Sequence, residues 1–289
     1  MSQSSRSNRP TSKKTRARDA ARSKQPDRTP TPEPTGTTAR TTAAKSAPSK
    51  PATPSPKLPP GAIETFELTK VYGEAPALDP LSLRIEHGDR VSLIGHNGSG
   101  KTTLLRMLVG MLEPTDGSAT IAGHPIGSLE ARASVSYLAD QPVFYDDLTV
   151  WEHLEYVARL HGTEDWEQQA VDLADLVGLM PRIDDLPSTF SRGLKQKAAI
   201  TMAFVRPFDV MLIDEPFVGL DRTGREALLE LLALAHDDGA TLIVATHELS
   251  SVERSSRLIA LSGGELIYDG EPSVADLARL TEGRPAEHD

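Results

Sequence analysis

The octet Gly95-His96-Asn97-Gly98-Ser99-Gly100-Lys101-Thr102 follows an apolar run, Val91-Ser92-Leu93-Ile94, and leads into a helical pattern over residues 103–109. It fits G-x-x-x-x-G-K-[ST], a glycine-rich turn between a strand and a helix. The glycines let the backbone curl without Cβ clashes, so that successive N–H groups converge on one anion, and the helix adds its positive N-terminal end. Such a turn belongs to α/β domains with a buried, mostly parallel sheet. Lys101 is then placed to reach the β- and γ-phosphates of a nucleoside triphosphate, and Thr102 to ligand Mg²⁺.

A second apolar run ends in acids. Asp209-Val210-Met211-Leu212-Ile213-Asp214-Glu215-Pro216 reads as a buried parallel strand that delivers two carboxylates to its C-terminal edge. Asp214 is the candidate Mg²⁺ acid and Glu215 the group that polarises an attacking water, because phosphoryl transfer needs positioning and charge neutralisation more than covalent chemistry.

The chain is electrostatically split. Through residue 60 it carries 13 Lys+Arg against 3 Asp+Glu, and the remainder carries 18 against 38. Between Ser2 and Lys57 there is no Val, Ile, Leu, Phe, Tyr or Trp, so residues 1–60 cannot bury enough apolar surface to offset their conformational entropy and are expected to be a disordered basic tail. Residues 61–289 suit one α/β domain. With no apolar run long enough to span a bilayer and no secretory core, the expectation is a cytoplasmic protein. The absence of cysteine excludes disulfides and thiolate metal sites.

Strands are expected near residues 63–69, 81–86, 90–94, 209–213 and 241–245, and helices near 101–110 and 223–236. Thr149-Val150-Trp151-Glu152 is a capping box opening a helix over 151–161, and a second helix is expected over 165–178. These belong to a helical subdomain at about residues 141–205. Ser273 caps a last short helix.

Six aromatic residues lie within thirty positions. Trp151 and Tyr156 read as subdomain core, whereas Phe144 and Tyr145, between turn-forming residues, read as docking candidates.

Four further segments extend the pattern. They are Lys70-Val71-Tyr72-Gly73; Tyr137-Leu138-Ala139-Asp140-Gln141-Pro142; Phe190-Ser191-Arg192-Gly193-Leu194, which opens a helix; and Gly219-Leu220-Asp221, with His247 after the apolar run 242–245. In order and spacing the whole set resembles the nucleotide-binding subunit of ABC transporters over about residues 62–281. The resemblance implies a P-loop ABC-type ATPase domain with an α-helical subdomain, and it implies ATP and Mg²⁺.

ATP contacts are implied from Tyr72, which matches the adenine-stacking aromatic, and from Gly95, His96, Asn97, Gly98, Ser99, Gly100, Lys101, Thr102 and Thr103. Ser191, Gly193 and Asp221 match the segments that meet the ATP of a second copy. Lys101, Glu215 and the switch histidine His247 are implied in catalysis, and Thr102, Asp214 and a sensing residue at the metal. The family usually has Gln two residues after Leu138; here Asp140 holds that position with Gln141 beside it, and the register between the two stays open. Arg192 and Leu194 depart from the usual signature L-S-G-G-Q.

Leu261-Ser262-Gly263-Gly264 is a more literal match to that signature, but Glu265-Leu266-Ile267-Tyr268-Asp269-Gly270 follows it as a strand, so it is expected to be a hairpin turn.

Within the family the segments at 137–150 and 190–197 look most like ATPases of ABC-2-type exporters. The partners implied are a separately encoded membrane permease and a second copy of the chain closing over ATP. The chain would sit on the inner face of the cell membrane through that permease. A soluble ABC ATPase acting in assembly or translation is the alternative. No specific nucleic-acid partner is expected. The basic tail is either a solvated extension or a weak contact to anionic lipid.

Overall fold

A computed structural model describes residues 59–246, 252, 254–272 and 274–282. The expectations for the tail through residue 58, for His247 and for the Ser273 cap lie outside these residues. The chain opens with β1 (Ile63–Tyr72), β2 (Ala75–Ile85), β3 (Arg90–Ile94), α1 (Lys101–Leu108), β4 (Asp116–Ile121), β5 (His124–Pro125), α2 (Leu129–Ser134) and β6 (Val135–Leu138). It continues with α3 (Val150–Leu160), α4 (Trp166–Leu176), α5 (Arg192–Phe204), β7 (Val210–Asp214), α6 (Arg222–Asp237), β8 (Thr241–Ala245), β9 (Arg257–Ser262), β10 (Glu265–Gly270) and α7 (Val274–Thr281).

Two sheets result. The larger has the order β10-β9-β3-β8-β7-β6; β9, β3, β8, β7 and β6 pair parallel, and β10 closes the edge antiparallel to β9. Every residue of β3, β7 and β8 is buried, as continuous apolar runs in a parallel sheet require. The smaller sheet is antiparallel, in the order β2-β1-β4-β5.

Leu104, Leu105, Met107 and Leu108 of α1 share one core with Ile63, Leu68, Leu83 and Ile85 of the small sheet and with Val91, Leu93, Leu212 and Ile243 of the large one. That packing fixes α1, and with it the turn before it. A second core joins α3, α4 and α5 to α6 and to the face of β7 and β8 that presents Met211, Ile213, Leu242 and Val244.

The capping box at α3 forms. The Thr149 hydroxyl accepts from the Glu152 N–H at 3.2 Å, and the Glu152 carboxylate accepts from the Thr149 N–H at 2.8 Å.

The structure adds β4, β5, α2, β6 and β9 to the expected elements and lengthens β2. β2 starts at Ala75, before Pro76 and Pro80 and ahead of the strand expected near 81–86; an edge strand tolerates the ladder donors that proline lacks. β4, with three of its six residues exposed and a glycine at its second position, lacks an apolar run yet forms an inner strand of the small sheet. Further along the chain, Tyr137 and its neighbours form β6, an edge strand of the larger sheet.

Candidate functional site: a phosphate-binding cleft and a signature cluster

The turn after β3 has the backbone that its glycines permit: Gly98 and Gly100 have φ of 83° and 104°. A Cβ at Gly95 would lie 2.2 Å from the Leu261 carbonyl oxygen, and one at Gly100 would lie 2.8 Å from that of Ala77. Gly100 occupies the N-cap position of α1 and offers no side-chain cap. The first-turn N–H groups of α1 therefore face the turn with no capping oxygen, which suits an external anion.

The turn is braced from behind by Leu261-Ser262-Gly263-Gly264. These residues end β9 and turn into β10, with Ser262 paired to Glu265, as the hairpin expectation holds. The Gly264 N–H donates to the Ser99 carbonyl at 3.1 Å, and the Asp79 N–H donates to the Gly264 carbonyl at 3.0 Å. Nothing in the sequence pointed to this bracing role.

A cleft of about 340 Å³ opens in front of the turn, lined by Ala77, residues 97–103, Asp140, Asp214 and Glu215. Lys101 is buried, its ammonium donating to the Gly95 carbonyl at 2.7 Å and standing 4.0 Å from the Glu215 carboxylate. Burial pulls its pKa down, against the opposing pull of Glu215 and Asp214. The Thr102 hydroxyl donates to Asp214 Oδ2 at 2.7 Å, while Asp214 Oδ1 and Ser99 Oγ are buried without a hydrogen-bond partner.

Burial raises the pKa of Asp214; the Thr102 hydrogen bond opposes this, and the negative charge of Asp140 adds to it. Burial also pushes Tyr137 up to about 12, and the charge of Asp214 adds to this.

This donor set fits Mg²⁺. It offers hard oxygens, a hydroxyl and an orphaned carboxylate oxygen, at the mouth of a phosphate-sized cradle. Among the described residues no cluster of three or more His, Cys, Asp or Glu would hold a metal by itself, which suits an ion held by one or two protein oxygens together with substrate phosphates. Glu215 adopts φ of 47°, a left-handed conformation costly for a residue with a Cβ, and its N–H donates to the Ala245 carbonyl at 2.8 Å. The end of β8 thus holds Glu215 in place.

Ser191, Gly193 and Asp221 do not line this cleft. They form a second cluster at the start of α5 and α6. Ser191 is the N-cap of α5, its hydroxyl accepting from the Leu194 N–H at 3.4 Å. A Cβ on Gly193 would fall 2.5 Å from the Gly219 carbonyl oxygen, so the two loops touch through glycine. Asp221 caps α6 through the Gly224 N–H at 2.8 Å and pairs with the Lys197 ammonium at 2.9 Å. These contacts, the Gly224 N–H first, hold its pKa low.

The two clusters are joined by Arg192, which donates to Asp140 at 2.7 Å.

Of the remaining candidates, Tyr72 ends β1 half in solvent, with the Lys70 ammonium 5.3 Å from its ring centroid. His96 is exposed and bonds through Nδ1 to the Asn97 carbonyl at 2.7 Å. Gln141 is also exposed; it lines a different, largely apolar groove of about 880 Å³ with Met111, Val143, Phe144, Leu160 and Met202. Phe144 packs partly against the helical core, and Tyr145 is exposed. Trp151 packs on Trp166 at 5.0 Å as expected of core. Tyr156 does not: it is exposed and meets Tyr145 edge-on at 5.6 Å, because its position on α3 faces away from Leu154 and Ala158.

Residues 78–218 match the ABC transporter family model. An ABC transporter ATP-binding protein of Synechocystis is 32% identical, covering 80% of this chain and 68% of that protein. The SkfA peptide export ATP-binding protein SkfE of Bacillus subtilis is 34% identical, covering 72% of this chain and 88% of that protein. Among solved structures, the dimeric ATP-binding cassette MJ0796 bound to ADP and Pi matches with a TM-score of 0.67 and 26% identity, over 72% of this chain and 98% of that one. The chain belongs to the ABC transporter ATP-binding family. Its α/β architecture is that of the ABC ATPases.

Proposed function

We propose that this chain is the ATP-hydrolysing subunit that powers a separate membrane permease, most like those of ABC-2-type exporters. The observation that carries the reading is the convergence, in one cleft, of an uncapped helix N-terminus, a buried lysine, the Thr102–Asp214 pair and Glu215. The turn and Lys101 bind the phosphates of ATP, and Tyr72 stacks on its base. Thr102, Asp214 and Asp140 hold Mg²⁺, which when bound neutralises charge on the transferring phosphoryl group. Glu215 orients and polarises the attacking water, and His247, outside the described residues, is assigned the switch role that the resemblance implies.

Ser191, Gly193 and Asp221, apart from their own chain's cleft, serve the cleft of a second copy. The SkfE relative, named for peptide export, supports an exporter.

A permease is supported by the apolar groove. Val143 is 91% exposed, and Met111 and Leu160 are also exposed there. Apolar patches of this kind mark interaction sites. Arg106, Arg132 and Arg206 border the groove, which suits an amphipathic segment with an acidic end. Among the described residues no helix is long and apolar enough to cross a membrane, so the reading places the chain on the cytoplasmic face through its partner.

Affinity purification from detergent-solubilised membranes tests it. A copurifying multispanning permease is the expected result; copurification of ribosomal or assembly factors alone would favour the soluble alternative.

Asp140 lines the cleft and Gln141 the groove, which supports Asp140 as the residue that senses Mg²⁺. Asp140→Ala is expected to weaken Mg²⁺-supported hydrolysis clearly more than Gln141→Ala. Paired Mg²⁺ titrations of ATPase rate check this, and a larger defect in Gln141→Ala would shift the register by one.

The basic tail is proposed to lie outside the catalytic domain. Arg84 donates to the Pro59 carbonyl at 2.8 Å, so the truncation that spares this contact removes residues 2–58. ATPase rate and thermal midpoint are expected to be unchanged. Cosedimentation with anionic vesicles at low and high salt then reads any lipid contact, which salt should weaken.

A further inference from the structure

Two positions depart from the family pattern that the chain resembles, Asp140 where glutamine is usual and Arg192 within the signature segment, and the structure joins these two. They are 52 residues apart in sequence and 2.7 Å apart in space. Arg192 is the first residue of α5 after its N-cap Ser191, and its stem lies against Gly219, where a Cβ would meet Arg192 Cγ at 3.4 Å. The guanidinium therefore reaches from the signature cluster across to the wall of the phosphate cleft.

That wall is acidic. Asp140, Asp214 and Glu215 all line the cleft, and Lys101 is its buried cation. The triphosphate of a nucleotide would add further negative charge. Without a metal, a third carboxylate opposes such a ligand unless a cation compensates it. Arg192 is the side chain that does so for Asp140, with half of its own surface still in water.

We propose that Arg192 is a positioning residue for the ATPase reaction: it neutralises and holds the Asp140 carboxylate until Mg²⁺ arrives with the nucleotide, and Asp140 then exchanges the guanidinium for the metal. The inference rests on the reading of the cleft as an Mg²⁺–ATP site. The acidic residue at 140 is tolerated because the signature helix of the same chain supplies a basic one. Each substitution explains the other. The exchange also releases the first turn of α5 from the cleft wall at the moment the metal site fills.

The test is binding, not turnover. The dissociation constant of a fluorescent, non-hydrolysable ATP analogue is measured on the full chain in EDTA and in excess Mg²⁺, and the ratio of the two is compared among variants. Arg192→Ala is expected to raise the EDTA-to-Mg²⁺ ratio about three- to tenfold, because the uncompensated Asp140 repels the metal-free ligand while remaining available to the metal. Arg192→Lys should return the ratio most of the way to wild type. Asp140→Asn should lower it, and in that background Arg192→Ala should leave it within about twofold.

A merely structural loss at α5 would move both constants together and leave the ratio alone. If Asp140→Asn lowers the ratio but Arg192→Ala does not raise it, or raises it equally in the Asp140→Asn background, the pairing role is overturned and the metal site stands. If wild type itself shows no dependence on Mg²⁺, the reading of the cleft fails, and this inference with it.

Discussion

Replacing Glu215 with Gln is expected to leave ATP binding intact and to slow hydrolysis by about 10²–10⁴, the usual scale for losing a positioned base. Glutamine keeps the shape of the side chain and can still accept a hydrogen bond, but it cannot take a proton. The backbone at 215 is held left-handed, with its N–H on the Ala245 carbonyl, and glutamine meets the same steric demand as glutamate there. The variant should therefore fold as wild type does. It also removes a negative charge near Lys101, 4.0 Å away, so ATP should bind at least as well. With ATP retained, the proposed closed pair should accumulate, visible as a dimer in sizing chromatography with ATP and Mg²⁺. Wild-type turnover in Glu215→Gln would remove Glu215 from its assigned role.

The parts legible in the sequence are those where local chemistry and burial agree. The stretches 91–94, 210–213 and 242–245 are almost wholly apolar because their strands are buried on both faces. The phosphate-binding turn shows its glycines because its dihedrals and its close contacts with Leu261 and Ala77 demand them. The Thr149 capping box is a local hydrogen-bond exchange readable from four residues.

What was not legible is non-local. β4 forms because β1 and β5 flank it, and its own residues carry little strand signal. Gly264 looked like a turn and is one, yet its contact with Ser99 depends on two segments far apart in the chain. Asp140 and Arg192 each looked like a blemish in a motif; only their juxtaposition turns them into a pair. Tyr156 lies in an amphipathic helix, but which edge of that helix is covered depends on α4 and α5, which its own sequence does not specify.

Lys101→Ala is expected to have the second large effect, on binding instead of chemistry. In the structure the Lys101 ammonium is almost fully withdrawn from water and is held by the Gly95 carbonyl at 2.7 Å, more distantly by that of His96, and by Glu215. Two neutral carbonyls do not compensate a buried cation fully, and desolvation accordingly lowers its pKa. The position gains its partner when phosphate oxygens enter the cleft. Removing one side of such a buried charged contact costs about 3–5 kcal/mol, which corresponds to a loss of roughly 10²–10³ or more in ATP affinity. Stability without nucleotide should change little, because the desolvation penalty of the ammonium disappears together with its hydrogen bonds. Arginine should not rescue: its planar fork does not reproduce the single Nζ that donates to the Gly95 and His96 carbonyls. Equilibrium binding of a fluorescent ATP analogue, read beside the thermal midpoint of the nucleotide-free protein, separates these terms. Near-normal affinity in Lys101→Ala would mean that the turn and the first turn of α1 bind the phosphates without the lysine.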